Sequence, residues 1–111
     1  MNDVVLVLST APAAPGDDTA EQIARALIDE RLAACVNIQA PMVSIYRWKG
    51  AVERDSERQL VIKTTSSLVP ALEQRLRELH PYELPEFIVM PAAGGSEQYL
   101  GWVAGEVRTN S

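Results

Sequence analysis

The stretch from Met42 to Thr64 constrains this chain more than any other, because it reads as one long antiparallel hairpin folded at Lys49-Gly50. Each arm runs roughly ten residues or more, which at about 3.3 Å per residue is about 33 Å of strand. An ordinary strand spans about 17–20 Å, and a compact domain of 111 residues is scarcely wider than such an arm. Part of the hairpin therefore overhangs its own core. The overhang carries Ile45, Tyr46 and Trp48 near its tip, so a monomer leaves an open strand edge and two aromatics in water, features that proteins cover with a partner. Self-association is the expectation that follows; a hairpin kinked at a bulge in a monomer is the competing reading.

The rest of the chain supplies what the hairpin packs on. Val4 to Leu8 is a continuous, mostly β-branched run, as in a strand buried on both faces. Pro12, Pro15 and Gly16 break it, and Asp18 with Glu21 forms a D-x-x-E variant of the capping box that opens a helix. Ala20, Ile23, Ala24, Leu27, Ile28 and Leu32 recur at helical spacing and predict its end near Leu32. Cys35 to Ile38 begins a second strand, which Pro41 interrupts, implying an edge or a bulge. In the returning arm, alternation sends Glu53, Asp55, Glu57 and Gln59 to one face and Arg54, Arg58, Leu60 and Ile62 to the other. Lys-Gly is a weaker turn signal than Asn-Gly, so the register stays open.

Ser66 or Ser67 is the expected cap of a second helix with Pro70 in its first turn and Leu68, Leu72, Leu76 and Leu79 as its buried stripe. His80-Pro81 ends it. Phe87 to Met90 is a short strand, Ser96 caps a last helix carrying Tyr99, Leu100 and Val103, and a small strand or tail follows Gly105. The order is that of an α+β, ferredoxin-like βαββαβ sandwich: an antiparallel sheet, two helices on one face, a C-terminal helix and a long hairpin between the second and third strands. Neither a repeat nor a linker divides the chain, so residues 1–111 read as one domain.

A hydrophobic content of 47% marks a globular chain, and a net charge of -5 argues against a nucleic-acid surface and suits cations better than polyanions. The acid-flanked Met1-Asn2-Asp3 start lacks the basic end of a signal peptide, and no apolar run approaches a membrane span. With the single cysteine, Cys35, these features predict a cytoplasmic protein.

Candidate chemistry is sparse. His80, the single histidine, stands at a helix end before Pro81-Tyr82-Glu83-Leu84-Pro85-Glu86, where it either tends the last carbonyls or serves a binding or metal role. Cys35 is either a small buried hydrophobe or a thiolate ligand for a soft cation. No C-x-x-C or H-x-x-x-H pair accompanies it, so a metal site needs ligands from several chains. Glu53, Asp55 and Glu57, about 6.6 Å apart in succession, read as a solvated face or intersubunit ion pairs. Tyr46, Trp48 and Trp102 read as packing or interface anchors. No nucleophile elbow, Walker loop or H-E-x-x-H is present, so no catalytic residue is expected. Gly94-Gly95-Ser96 before a helix is a weak anion cradle.

Five stretches, Ala33–Ile38, Ser44–Gly50, Lys63-Thr64, His80–Glu86 and Tyr99–Trp102, together resemble the CutA family of divalent-cation tolerance proteins, over nearly the whole chain. The resemblance implies a homotrimer similar to the P-II signalling proteins, a non-catalytic role in response to copper and other divalent cations, and no obligatory cofactor. It implies an intersubunit cleft lined by Tyr46, Trp48, Lys63, His80, Tyr82, Glu86 and Trp102; His80 carries over as a candidate metal ligand, and Cys35 stands beside it as a minor candidate on its own thiol chemistry. The copper ligands credited in family members, a cysteine near the end of the first strand and a His-His pair, fall on Ser9 and on Leu79-His80 here, so only His80 survives. Two other readings remain: a P-II-like sensor holding a small anion or nucleotide by Lys63 and the Gly94-Gly95 amides, and a trimeric scaffold. An enzyme would need Cys35 and His80 adjacent in space.

Overall fold

In the computed structural model, which describes residues 2–109, the elements are β1 (Val4–Pro12), α1 (Thr19–Asp29), β2 (Cys35–Ile38), β3 (Met42–Trp48), β4 (Ala51–Thr65), α2 (Val69–Leu79), β5 (Ile88–Pro91) and α3 (Glu97–Glu106). Met1 of the acid-flanked start and the last two residues of the tail lie outside the described residues. The sheet runs β2-β4-β1-β5, with β3 also pairing β4, and every pairing is antiparallel. This is the ferredoxin-like order. Val5, Val7, Leu60 and Ile62 share one core with Ile23 and Leu27 of α1 and Leu72 and Leu76 of α2, which fixes both helices on the same face.

The long hairpin is present with an unequal pair of arms. β4 has 15 residues and β3 only 7, because the outgoing arm is divided between β2 and β3. Lys49 and Gly50 both take positive φ, 49° and 82°, and Trp48 pairs with Ala51, the signature of a two-residue primed turn.

The break between β2 and β3 is a bulge. Ile38 pairs with Leu60 and the Gln39 N–H bonds the Gln59 carbonyl at 3.0 Å, whereas Met42 pairs with Glu57. Ala40 and Pro41 thus oppose the single residue Arg58, and the guanidinium of Arg58 donates to the Gln39 carbonyl at 3.0 Å. One extra residue inverts the alternation downstream. Ile38 packs on the core face, while Met42, Ser44, Tyr46 and Trp48 share the opposite face with Glu57, Asp55 and Glu53.

β1 accompanies β4 only as far as the pair Pro12↔Glu57. From there the hairpin continues as two strands, about 20 Å for six residues, and gives the molecule its 43 × 26 × 24 Å shape. Val43, Ile45 and Val52 lie exposed on its outer face. At the other edge of the sheet, Ile88, Val89 and Met90 of β5 are exposed as well.

The helix ends differ from the sequence expectation. Asp18 occupies the N-cap of α1 without a cap bond and instead accepts from Gln22 Nε2 at 2.9 Å, while Asp17 accepts from the Thr19 N–H at 2.9 Å. The bonds from Thr19 hold the Asp17 carboxyl below its ordinary range. α1 stops at Asp29 because Arg31 turns left-handed (φ 57°): its N–H bonds the Ile28 carbonyl and that of Leu32 the Leu27 carbonyl, a Schellman closure with arginine where glycine is usual. α2 begins after a 3-10 turn, Ser66–Leu68, so Leu68 rather than either serine holds its N-cap position. α3 is capped as expected, Ser96 Oγ accepting from the Tyr99 N–H at 3.3 Å. After it, the Arg108 N–H bonds the Arg31 carbonyl at 2.9 Å, and no strand forms among the described residues.

Candidate functional site

The bulge at Ala40-Pro41 and the loop after α2 together build a concave site. By the inverted alternation Tyr46 faces the acidic row of β4, and its phenol donates to the carboxylate of Asp55, diagonal to it across the ladder. That bond, followed by burial and the neighbouring carboxylate charges, pushes the Tyr46 phenol up to about 12. Glu57 is 7% exposed, contrary to a solvated row, because Tyr82 reaches over it and donates to Oε2 at 2.8 Å. Burial first, then this bond and its charge, push the Tyr82 phenol well above its ordinary range. Gln59 donates through one nitrogen to the Ser9 carbonyl at 2.9 Å and to Glu86 Oε2 at 3.1 Å.

His80 holds the loop in place. Pro81 drives His80 out of helical conformation (φ -86°, ψ 135°), and the ring turns inward to 7% exposure. Nε2 lies 2.6 Å from the Thr10 carbonyl, which can only accept, and Nδ1 accepts from the Tyr82 N–H at 3.1 Å. This assigns the neutral Nε2–H tautomer. The ring also packs on Tyr82 with centroids 4.6 Å apart. His80 therefore fastens strand β1 to the loop, rather than tending the last carbonyls of α2.

The resulting cavity, about 790 Å³, is roofed by the hairpin and floored by the loop. Tyr46, Trp48, Tyr82 and Glu86 all line it. His80 sits beneath, behind Tyr82. Lys63 lies elsewhere, on the β2 side, bonded to Asn37, and Trp102 is half exposed on α3 beside Tyr99, ring centroids 5.6 Å apart. The sequence reading left out Glu57, Glu83, Gln59 and Phe87, which also line the cavity. Period-two alternation already put Glu57 and Gln59 on one face; the bulge that brings β3 to that face was the missing signal.

Within one chain these residues do not fit a copper centre. Both His80 nitrogens are engaged. Cys35 is half-buried, opposite Lys63, while the Thr10 that holds His80 is opposite Gln59; the four residue steps from Gln59 to Lys63 along β4 span about 13 Å. Among the described residues no three His, Cys, Asp or Glu side chains converge as a metal ion requires. The same separation removes the nucleophile-base pair that an enzyme reading needs.

Fold and site together define a class: ferredoxin-like α+β proteins whose central hairpin projects past its own sheet and shelters a cavity against the loop after the second helix. The profile of the family described as CutA1 divalent ion tolerance protein matches residues 5–106. The chain belongs to that family. It is 46% identical over 103 residues to the divalent-cation tolerance protein CutA of Thermus thermophilus, covering 93% of this chain and 95% of the relative. It is 52% identical over 89 residues to protein CutA of Mus musculus, covering 80% of this chain but about half, 50%, of the mouse protein. The crystal structure of CutA from Xylella fastidiosa superposes with a TM-score of 0.88 at 46% identity, covering 96% of this chain and 99% of the other. Among the described residues no helix is long and apolar enough to cross a membrane.

Proposed function

We propose that this chain is the protomer of a cytoplasmic homotrimer that serves the response to divalent cations by binding, without catalysis, and that the cavity beneath the hairpin is its ligand site, closed by a neighbouring copy. The observation that carries this reading is the two-stranded projection beyond Glu57. Its outer face leaves Ile45 69% and Val52 64% exposed, and the β5 edge bares Ile88 and Met90. A two-stranded ribbon is marginal in water, and open apolar edges are covered in stable proteins. Three copies packed by their hairpins satisfy both requirements and create seams, where Lys63 and Trp102 of a neighbour join the cleft.

The cation role rests on the family's name and on charge. Glu57, Glu83 and Glu86 line the cavity, and the one basic residue of the lining, Arg47, pairs with Val52 so that its side chain belongs to the outer face, which favours a cationic ligand over an anion or nucleotide. Phenol, amide and carboxylate oxygens suit a hard divalent ion better than Cu(I), which asks for sulfur. A metal held at His80 or Cys35 needs further donors from a neighbour, and no cofactor is obligatory. Light scattering at micromolar concentration tests the assembly: three protomer masses of 12.2 kDa are expected, and a stable, folded species of one protomer mass overturns it. Calorimetry with Zn(II), Mn(II) and Cu(II) on the parent and Glu86→Gln tests the ligand; binding weaker than about millimolar, or unaffected by the substitution, removes direct cation binding at the cavity.

A further inference from the structure

The cavity is built for something larger than a metal ion. Its volume, about 790 Å³, falls within the roughly 300–1,000 Å³ of small-molecule sites. Much of its wall is apolar: Trp48, Tyr46, Tyr82, Phe87 and Met42 surround the carboxylates. A bare divalent ion makes no use of these rings, whereas a cation with a methylene body uses both kinds of wall.

Two residues of the lining, Trp48 and Glu83, already contact such a group at the rim. Lys49, at the hairpin turn, bends back so that its ammonium stands 5.5 Å from the Trp48 ring centroid and 3.4 Å from a carboxylate oxygen of Glu83. A charge over an indole face and against a carboxylate is the recognition pattern of an alkylammonium. Lys49 and Glu83 are both largely exposed, at 69% and 72%, so the contact contributes little to stability and exchanges readily.

We propose that the cavity takes an organic cation carrying a primary ammonium group, held over Trp48 and against Glu83 and Glu86, and that Lys49 fills the outer end of the site as an internal stand-in. This rests on the reading that the cavity is the ligand site. Of the other carboxylates, the exposed Asp55 is committed to Tyr46 and the buried Glu57 to Tyr82, and Glu86 accepts one amide hydrogen from Gln59. A carboxylate accepts several hydrogen bonds, so Glu86 keeps capacity for a second ammonium, and a diamine is the best-matched shape.

Calorimetric titration of the assembled protein with 1,5-diaminopentane tests this, with 1,5-pentanediol and Mg(II) at matched ionic strength as comparators. Saturable binding of the diamine, absent for the diol, is expected. Trp48→Leu should weaken it about two- to fivefold, as loss of a partly exposed cation–π contact does, and Trp48→Tyr should restore most of it. Lys49→Met should tighten it about twofold or more by removing the internal competitor. Light scattering of each variant checks that assembly is kept. No saturable binding to the parent or to Lys49→Met overturns the proposal. So does binding unchanged in Trp48→Leu and Glu83→Gln, since that is diffuse attraction to a net charge of -5. If the diamine fails while Zn(II) saturates with dependence on Glu86, the ammonium proposal falls and the cavity remains a ligand site; if neither saturates, both fall.

Discussion

Replacing His80 separates a fastening role from a ligand role. In His80→Ala two hydrogen bonds disappear, each worth about 0.5–1.5 kcal/mol net, and the Thr10 carbonyl and Tyr82 N–H are left to find other partners at a cost of about 1–3 kcal/mol. Because the ring is 7% exposed, water replaces it poorly, and the combined loss is about 2–6 kcal/mol. With an unfolding entropy of about 2.1 cal/mol/K per residue, a chain of 111 residues loses about 4 °C of Tm per kcal/mol, so the variant should melt about 9–26 °C lower.

The assay is thermal unfolding at one fixed protein concentration, since the proposed assembly would make Tm concentration-dependent. His80→Phe keeps a ring against Tyr82 but neither nitrogen, and should stay close to the alanine variant if hydrogen bonding dominates. His80→Gln, with one donor and one acceptor on a shorter reach, should fall between. The effect should extend to the cavity, because Tyr82 is positioned by its bond to Nδ1 and in turn covers Glu57. An alanine variant that melts within about 2 °C of the parent refutes the fastening role. If that variant also loses affinity for a metal ion, His80 is a ligand instead.

Three further outcomes are expected. Tyr46 and Tyr82 titrate above the ordinary value of 10 when folded, so the unfolded chain releases their protons first: their contribution to stability is complete below pH 10 and is lost as pH rises toward and through about 12 for Tyr46. Phenolate absorbance against pH should show this, and Tyr46→Phe should remove the component near pH 12. Deleting Ala40 removes the bulge yet leaves Pro41 opposite Arg58, Met42 opposite Glu57 and Tyr46 opposite Glu53, so the same titration should keep its Tyr46 component with far-UV dichroism retained; loss of that component refutes the bulge argument. Ile45→Asp places a charge on the exposed outer face of the hairpin, and should reduce the mass seen by light scattering to that of one protomer with the helical signal retained.

The elements legible in the sequence are those fixed by local chemistry. Alternation and a Lys49-Gly50 turn announce the hairpin, leucines at helical spacing announce α2, and Ser96 announces α3. The features that misled are choices between near-equal local options. Asp17 and Asp18 compete one residue apart at the start of α1. Arg31 ends the same helix in a left-handed conformation that gives no sequence signal, since Gly or Asn is the residue that advertises it.

The site is legible least because its partners are set by register. His80 finds its acceptor 70 residues away on β1, and Tyr82 meets Glu57 across 25. Neither contact exists until β1, β4 and α2 are already packed. The acidic row makes the point within a single strand. Glu53, Asp55 and Glu57 share one alternation and read identically in sequence, yet Glu53 stands in solvent, Asp55 accepts from Tyr46, and Glu57 is covered by Tyr82. What distinguishes them is their distance from the last pair that β1 makes, Pro12↔Glu57. A residue's position relative to the end of a neighbouring strand decides whether its carboxylate meets water or a phenol, and one inserted residue at Ala40-Pro41 decides which phenol it can meet. The chemistry of the cavity is thus carried by a strand length and a bulge, and substitutions there should alter it more than most changes among the lining side chains.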